Sequence, residues 1–198
     1  YDICPDLAVN PDNRMEEFES LVERIHQKGL QLIIDFVPNH VARAYKSLAK
    51  PPEIPDLGAH DDSSQAFSPA NNYYYLPGEN LQLPEKPDSP IKSNLTFEEN
   101  PAKVTGNDCF TASPSLNDWY ETIKLNYGKD FRTGAQITDP TPDTWLRMYE
   151  ILNFWAAKGV DGFRIDMAGM VPMAFWQWVI PKLKSKFTSL ILIAELYE

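Results

Sequence analysis

A chain of 198 residues is long enough for one sizeable domain, or for one domain carrying an insert, and 43% apolar content supplies a core. The formal net charge of −10 speaks against a phosphate-backbone ligand, because nucleic-acid binders concentrate Lys and Arg; neutral and cationic ligands fit that charge. No run approaches the roughly 18 apolar residues of a membrane span, and no charged-then-apolar leader opens the chain.

The first predicted element is a helix over about 13–28. Asp12 or Asn13 can cap it, and Glu16 stands three residues after Asn13 in a capping-box arrangement. Met15, Phe18, Val22 and Ile25 recur at helical spacing, and Gly29 is a natural stop. A strand follows over about 30–37, within "LQLIIDFVPNHVA". It is apolar on both faces, as a buried parallel strand is, with Asp35 inside it and Asn39 and His40 at its exit. From Val41 to Pro142 the pattern breaks, and 12 of the 17 prolines lie there. A structureless loop of that length does not fit a compact domain, so the stretch reads as an inserted subdomain. "NNYYYLP" and "NDWYETIKLNYG" are its most structured parts.

Cys4 and Cys109 have no metal-ligand spacing and read as free thiols, with pairing as the alternative. Asn94-Leu95-Thr96 is a glycosylation sequon, which matters only in a secreted eukaryotic protein. The compartment stays open. Regular structure returns at Thr141-Pro142, a cap followed by a proline suited to a first helical turn. Trp145, Met148, Leu152 and Trp155 mark one helix face, and Gly159 ends the helix. "VDGFRID" (160–166) is the next strand. Pro172 opens another helix, which Pro181 is expected to kink or split, and "SLILIAEL" (189–196) is a third strand. This alternation of helices and strands is that of a parallel α/β fold.

All three strands deliver ionisable groups at their C-terminal ends: Asp35 with His40, Arg164 with Asp166, and Glu195. In a parallel barrel those ends share one face, and a doubly wound sheet gathers them at a crevice. Taken singly, Asp35 reads as a structural acid paired to an arginine, His40 as a turn histidine and Arg164–Asp166 as a plain ion pair. Together they are costly, since buried charge costs several kcal/mol unless it is paired. Two carboxylates on neighbouring strands suit glycoside chemistry, where a separation of roughly 5–5.5 Å gives retention of configuration. Arg164, two residues before Asp166 on the same face, is expected to keep that acid ionised. Glu195, at the end of a very apolar strand, is expected to be raised by desolvation into a proton donor.

"DFVPNH", "GFRID" and "AE" at these three strand ends resemble the first three conserved regions of the α-amylase superfamily, glycoside hydrolase family 13. The opening "YDI", then "VNP" and a capped helix, resembles that family's segment after the second barrel strand, and "SPSLND" (113–118) stands roughly where a short fifth motif lies. The resemblance implies an α/β fold that is part of a (β/α)8 TIM barrel, from about the end of strand 2 to strand 5. Residues 1–40 are then a barrel segment (helix 2, strand 3), 41–141 the inserted domain B, and 142–198 a second barrel segment (helix 3, strand 4, helix 4, strand 5).

The implied activity is retaining hydrolysis of α-glucosidic bonds in α-glucans or maltooligosaccharides. Asp166 matches the nucleophile, Glu195 the general acid/base and Arg164 the arginine that positions the nucleophile. His40 matches the histidine that hydrogen-bonds the sugar at the cleavage site, and Asp35 a structural acid. Tyr1 matches the ring that stacks on that sugar, and Asp2 a sugar-binding acid of the glucosidase-like branch. The resemblance requires no cofactor; Asn39 falls where many true amylases bind calcium. The expected partners are the glucan and the remainder of the barrel, with no nucleic acid and no membrane. The sequence departs from the pattern in two ways. Gly169 and Met170 replace a Lys-His pair common after the nucleophile, and the fourth region, with its third carboxylate, has no match. The "AHDD" stretch (59–62) lies inside the insert and reads as a solvated loop. Alternative readings are a transglycosidase on the same site, a non-catalytic binding subunit, and an α/β barrel enzyme of other chemistry.

Overall fold

The computed structural model describes residues 3–47, 53–84 and 97–197. In chain order the elements are α1 (Arg14–Gln27), β1 (Ile33–Phe36), β2 (His40–Ala42), β3 (Tyr75–Leu76), β4 (Ala102–Lys103), β5 (Thr122–Lys124), α2 (Asp143–Ala157), β6 (Gly162–Ile165), α3 (Met173–Lys186) and β7 (Ile191–Ala194). Single turns of 3-10 helix occupy Pro5–Leu7, Pro11–Asn13 and Ala168–Met170. The chain forms two compact units. The first comprises Tyr1–Pro38, Lys46–Ile54 and Trp145–Glu198, the second Asn39–Tyr45 and Pro55–Thr144. The sequon at Asn94 lies outside the described residues.

The first unit carries a parallel three-stranded sheet in the order β1-β6-β7. Its predicted helix face is buried as the periodicity requires: Trp145, Met148, Leu152 and Trp155 of α2 all lie in the core. Trp145 meets Phe175 of α3 edge-on, with ring centroids 5.8 Å apart, and Trp155 meets Phe18 of α1 at 5.3 Å. Such edge-to-face pairs are worth about 0.5–1.5 kcal/mol beyond the area they bury. At Gly162 a Cβ would stand 2.5 Å from the Ile191 carbonyl oxygen and 2.6 Å from Ile33 Cδ1, so the sheet closes there only around a glycine.

Two local expectations are corrected. The capping box at Asn13 does not form, and the Asn13 side chain makes no cap hydrogen bond. The 3-10 turn at Pro11–Asn13 moves the cap upstream, where the Asn10 side chain accepts from the Asp12 N–H at 3.1 Å. Glu17, not Glu16, reaches back and accepts the N–H groups of Val9 and Asn10, each at 2.8 Å. A carboxylate there also complements the positive end of the helix dipole. The second correction is Pro181, which does not split α3; the helix runs unbroken from Met173 to Lys186. Phe175, Val179 and Leu183 are fully buried on both sides of the proline, so packing holds the turn. The carbonyl that loses its donor belongs to exposed Gln177, where water can serve it.

The second unit has little regular structure: β2 pairs with β5 and β3 with β4, both antiparallel. Its buried backbone groups find side-chain partners instead. Asn126 Nδ2 donates to the carbonyls of Ser68 and Asn71 at 2.8 and 2.9 Å, and its Oδ1 accepts from the Gly128 N–H. Asn72 Oδ1 accepts from the Gly58 N–H at 2.8 Å. The "AHDD" stretch is not simply a solvated loop. Asp61 is half-buried and accepts the N–H groups of Asn72 and Tyr73 and the Tyr75 hydroxyl, at 2.8, 3.0 and 3.0 Å. Burial pushes its carboxyl above the usual carboxylate range despite these donors. Asp62 stays exposed and closes a turn on Ser64. Both cysteines are free.

Candidate functional site

Four of the predicted residues converge on one face of the β1-β6-β7 sheet. Asp35 and Arg164 are register partners, as are Arg164 and Ile193. Side chains two apart on a strand point the same way, so Asp166 and Glu195 stand one step further along that face. The sheet geometry carries on past the strand ends: the Asp166 N–H donates to the Phe36 carbonyl at 2.9 Å and the Glu195 N–H to the Ile165 carbonyl at 2.9 Å.

Arg164 is the hub. One terminal nitrogen, Nη1, lies 3.1 Å from Asp166 Oδ1 and 3.8 Å from Asp35 Oδ2; the other, Nη2, pairs with Glu195 Oε1. A planar guanidinium presents donors in a fixed fork, so its contacts fix the relative placement of the two acids. Met167, immediately after Asp166, is held in the left-handed region at φ 49°. This conformation is uncommon for a residue with a side chain. It turns the chain sharply, so that the next amide, the Ala168 N–H, donates to the Glu195 carbonyl at 3.1 Å; the Met167 N–H itself stands 3.5 Å from Glu195 Oε2.

Two sequence expectations fail here. Asp35 is not buried: its side chain is 67% exposed, and its contact with Arg164 is long. Its alternation partner Phe36 takes the core side of β1 instead. Glu195 is not raised by desolvation. Its carboxyl is held below the usual range, chiefly because the Tyr197 hydroxyl donates to Oε1 at 2.7 Å. Asp166, the Met167 N–H and the Arg164 charge act in the same direction, and desolvation opposes them only in part. Strand β7 is exposed over Ile193 and Ala194, so the apolar sequence around Glu195 does not translate into an apolar pocket.

His40 belongs to the second unit, on β2 opposite Lys124 of β5. Its ring lies 5.3 Å from that of Trp119. Asn39 Nδ2 stands 3.3 Å from His40 Nδ1 and donates to the Gly106 carbonyl at 2.8 Å. With Nδ1 as acceptor, the neutral ring carries its proton on Nε2. Tyr1 and Asp2 lie outside the described residues.

The resemblance implies calcium at Asn39 in many relatives, and the surroundings of Asn39 do not fit it. The Asn39 amide oxygen accepts from Lys124 Nζ at 2.7 Å, and the same ammonium pairs with Asp108 Oδ1 at 2.6 Å. An ammonium and a divalent cation cannot share those oxygens. Sequence reasoning misses Lys124, although its place between Ile123 and Leu125, both buried, is the available signal. It misses Tyr197 too, which lies two residues beyond Glu195, the spacing that already links Arg164 to Asp166.

The family description "Alpha amylase, catalytic domain" matches residues 1–186. Among curated relatives, the chain is 24% identical over 177 residues to an alpha-glucosidase of Culex pipiens, covering 84% of this chain and 24% of that protein. It is 30% identical over 159 residues to the amino acid transporter heavy chain SLC3A1 of Homo sapiens, covering 77% of this chain and 18% of that one. The chain therefore spans a quarter or less of the length of these two relatives. Among solved structures, cyclic alpha-maltosyl-(1→6)-maltose hydrolase from Arthrobacter globiformis, in complex with maltose, aligns with a TM-score of 0.55 at 19% identity, over 93% of this chain and 32% of that one. At that identity the likeness speaks for the fold alone.

Proposed function

This chain belongs to the α-amylase catalytic-domain family, and we propose that it carries the acid pair of a retaining enzyme acting on α-glucosidic bonds. The observation that carries the reading is Arg164, which reaches both Asp166 and Glu195 from one guanidinium at the end of a parallel sheet. Asp166 attacks the anomeric carbon and forms a glycosyl ester while Glu195 gives its proton to the departing oxygen. Glu195, then ionised, takes a proton from the incoming water, and the ester is released with overall retention. The barrel reading follows the same premise: the first unit supplies barrel strands, and the second unit is the insert after the third strand. An α-glucan or maltooligosaccharide is the substrate class, in keeping with the maltose complex of the aligned hydrolase.

The test is the anomeric form of the first product. Proton NMR of maltooligosaccharide cleavage by the full-length protein is expected to show the α-anomer before mutarotation. A β-anomer at first appearance overturns the mechanism. Transfer to a sugar acceptor in place of water would keep the same two acids and mark a transglycosidase.

A second reading draws on the 30% identity to a transporter heavy chain: a subunit without turnover. The presence of both acids, joined through one arginine, favours the catalytic reading.

Tyr197 gives the pH dependence a sign. Glu195 must be protonated to act as an acid, so activity falls as pH rises through its pKa. The Tyr197 hydroxyl favours the ionised form. Tyr197→Phe is therefore expected to move the alkaline limb of the kcat/KM profile to higher pH. An unmoved limb, or one moved down, removes Tyr197 from control of this acid.

In the same reading, His40 keeps the role that the resemblance implies, a hydrogen bond to the sugar, and its Nε2–H is the donor. His40→Ala is expected to lower kcat together with kcat/KM, as loss of a contact that strengthens in the transition state does. A change confined to KM would put His40 at a remote subsite.

A further inference from the structure

We infer that the Lys124 ammonium serves as a built-in cation of the second unit, standing where a bound metal would otherwise hold Asn39, and that through Asn39 it sets the orientation of His40. The replacement of the metal rests on the geometry of this unit alone; its consequence for sugar binding rests on the role proposed above for His40.

Lys124 is buried, with a side chain 3% exposed. A lysine is rarely taken out of water without partners that repay the loss. Here the ammonium has such partners. The Asn39 amide oxygen accepts from it at 2.7 Å, the Asp108 carboxylate stands at 2.6 Å, and the Phe131 ring centroid lies 5.9 Å away. Asp108 reaches it from an uncommon backbone conformation, φ 64°, which a non-glycine residue adopts at some cost. Burial lowers the Lys124 pKa, and the Asp108 carboxylate opposes that shift.

The Asn39 amide is then held at both ends. Its oxygen takes the ammonium, and its two amide hydrogens face the Gly106 carbonyl and His40 Nδ1. An asparagine amide can be turned over at little steric cost, exchanging oxygen for nitrogen. The ammonium forbids that flip here, because the amide would then present hydrogens to a cation. With the amide fixed, His40 Nδ1 is fixed as an acceptor and Nε2 as the protonated donor. A metal ion in the same place would impose the same orientation, so a lysine there makes the metal unnecessary.

The experiment has two readouts, neither of which uses turnover. The full-length protein, labelled with ¹⁵N-histidine, is expected to show His40 in the Nε2–H tautomer. Its melting temperature is expected to stay unchanged by a metal chelator and by added calcium. In Lys124→Met the apolar stem remains and the charge is lost. The melting temperature is expected to fall by about 5–10 °C, and His40 to populate both tautomers. A structural lysine with no hold on His40 would lower the melting temperature and leave the tautomer unmoved, which overturns the positioning role. Should Lys124→Met fail to fold, the wild-type protein still decides. An Nδ1–H tautomer, or a melting temperature that drops on chelation and is restored by calcium, overturns the inference.

Discussion

Asp166→Asn in the full-length protein is expected to lower kcat by roughly 10⁴-fold or more, the scale on which loss of an enzymatic nucleophile is felt. The amide cannot form a glycosyl ester, and it also removes the negative charge that Arg164 meets at 3.1 Å. Folding should survive, since the Asp166 backbone N–H keeps its bond to Phe36 and the side chain is not part of the hydrophobic core. Glu195→Gln separates the second role. Without a proton donor, turnover of starch-like substrates is expected to fall by about 10²–10⁴-fold. Aryl glycosides with activated leaving groups need little protonation and retain far more of their rate in this variant. They gain nothing in Asp166→Asn, because the ester is still missing. Rates on maltooligosaccharide and on an activated aryl glycoside, measured for both variants, check the assignment; a variant that cleaves both substrates near the wild-type rate ends it.

The site is legible in the sequence to the extent that strand alternation controls it. Arg164 and Asp166 are two apart on β6, and neighbouring parallel strands bring Asp35 and Glu195 to the same face, so periodicity alone gathers all four. What periodicity cannot supply is environment. Asp35 sits inside an apolar run yet is exposed, because the run alternates and Phe36 faces the core in its place. Glu195 follows an apolar strand, but its proton affinity is set first by one hydroxyl, Tyr197, and such a contact has no periodic signature. The insert is legible only as prolines. Its order comes from contacts between residues far apart in the chain, such as Asp61 with Tyr75 and Arg43 with Glu99, which no local pattern encodes. The helices show the opposite balance. The face Trp145, Met148, Leu152 and Trp155 is readable because burial and spacing coincide, whereas the cap of α1 is misread because a 3-10 turn before it shifts the frame.

Arg43→Met is expected to destabilise the second unit by about 3 kcal/mol, the lower end of the cost of breaking a buried ion pair. The Arg43 and Glu99 side chains are each only 5% exposed and meet at 2.5 Å. Arg43 also donates through Nε to the Tyr120 carbonyl at 2.5 Å and through Nη2 to the Lys103 carbonyl at 3.0 Å. One side chain thus ties together three segments of a unit whose strands are two or three residues long. Methionine keeps most of the buried stem, so the loss comes from polar groups rather than from a cavity. Glu99 does not become wholly unpaired, since the Lys103 N–H and ammonium still reach it at 2.7 and 3.3 Å, which sets the cost at the lower end. Most of the penalty is the charge left behind, and a second variant shows it. Arg43→Met with Glu99→Gln removes that charge while keeping an acceptor for the Lys103 N–H, and is expected to be more stable than Arg43→Met alone. Denaturant midpoints of the wild type, both single variants and the double variant give the coupling directly. A double variant less stable than Arg43→Met would mean that Glu99 is held by Lys103 and that Arg43 acts through the two carbonyls.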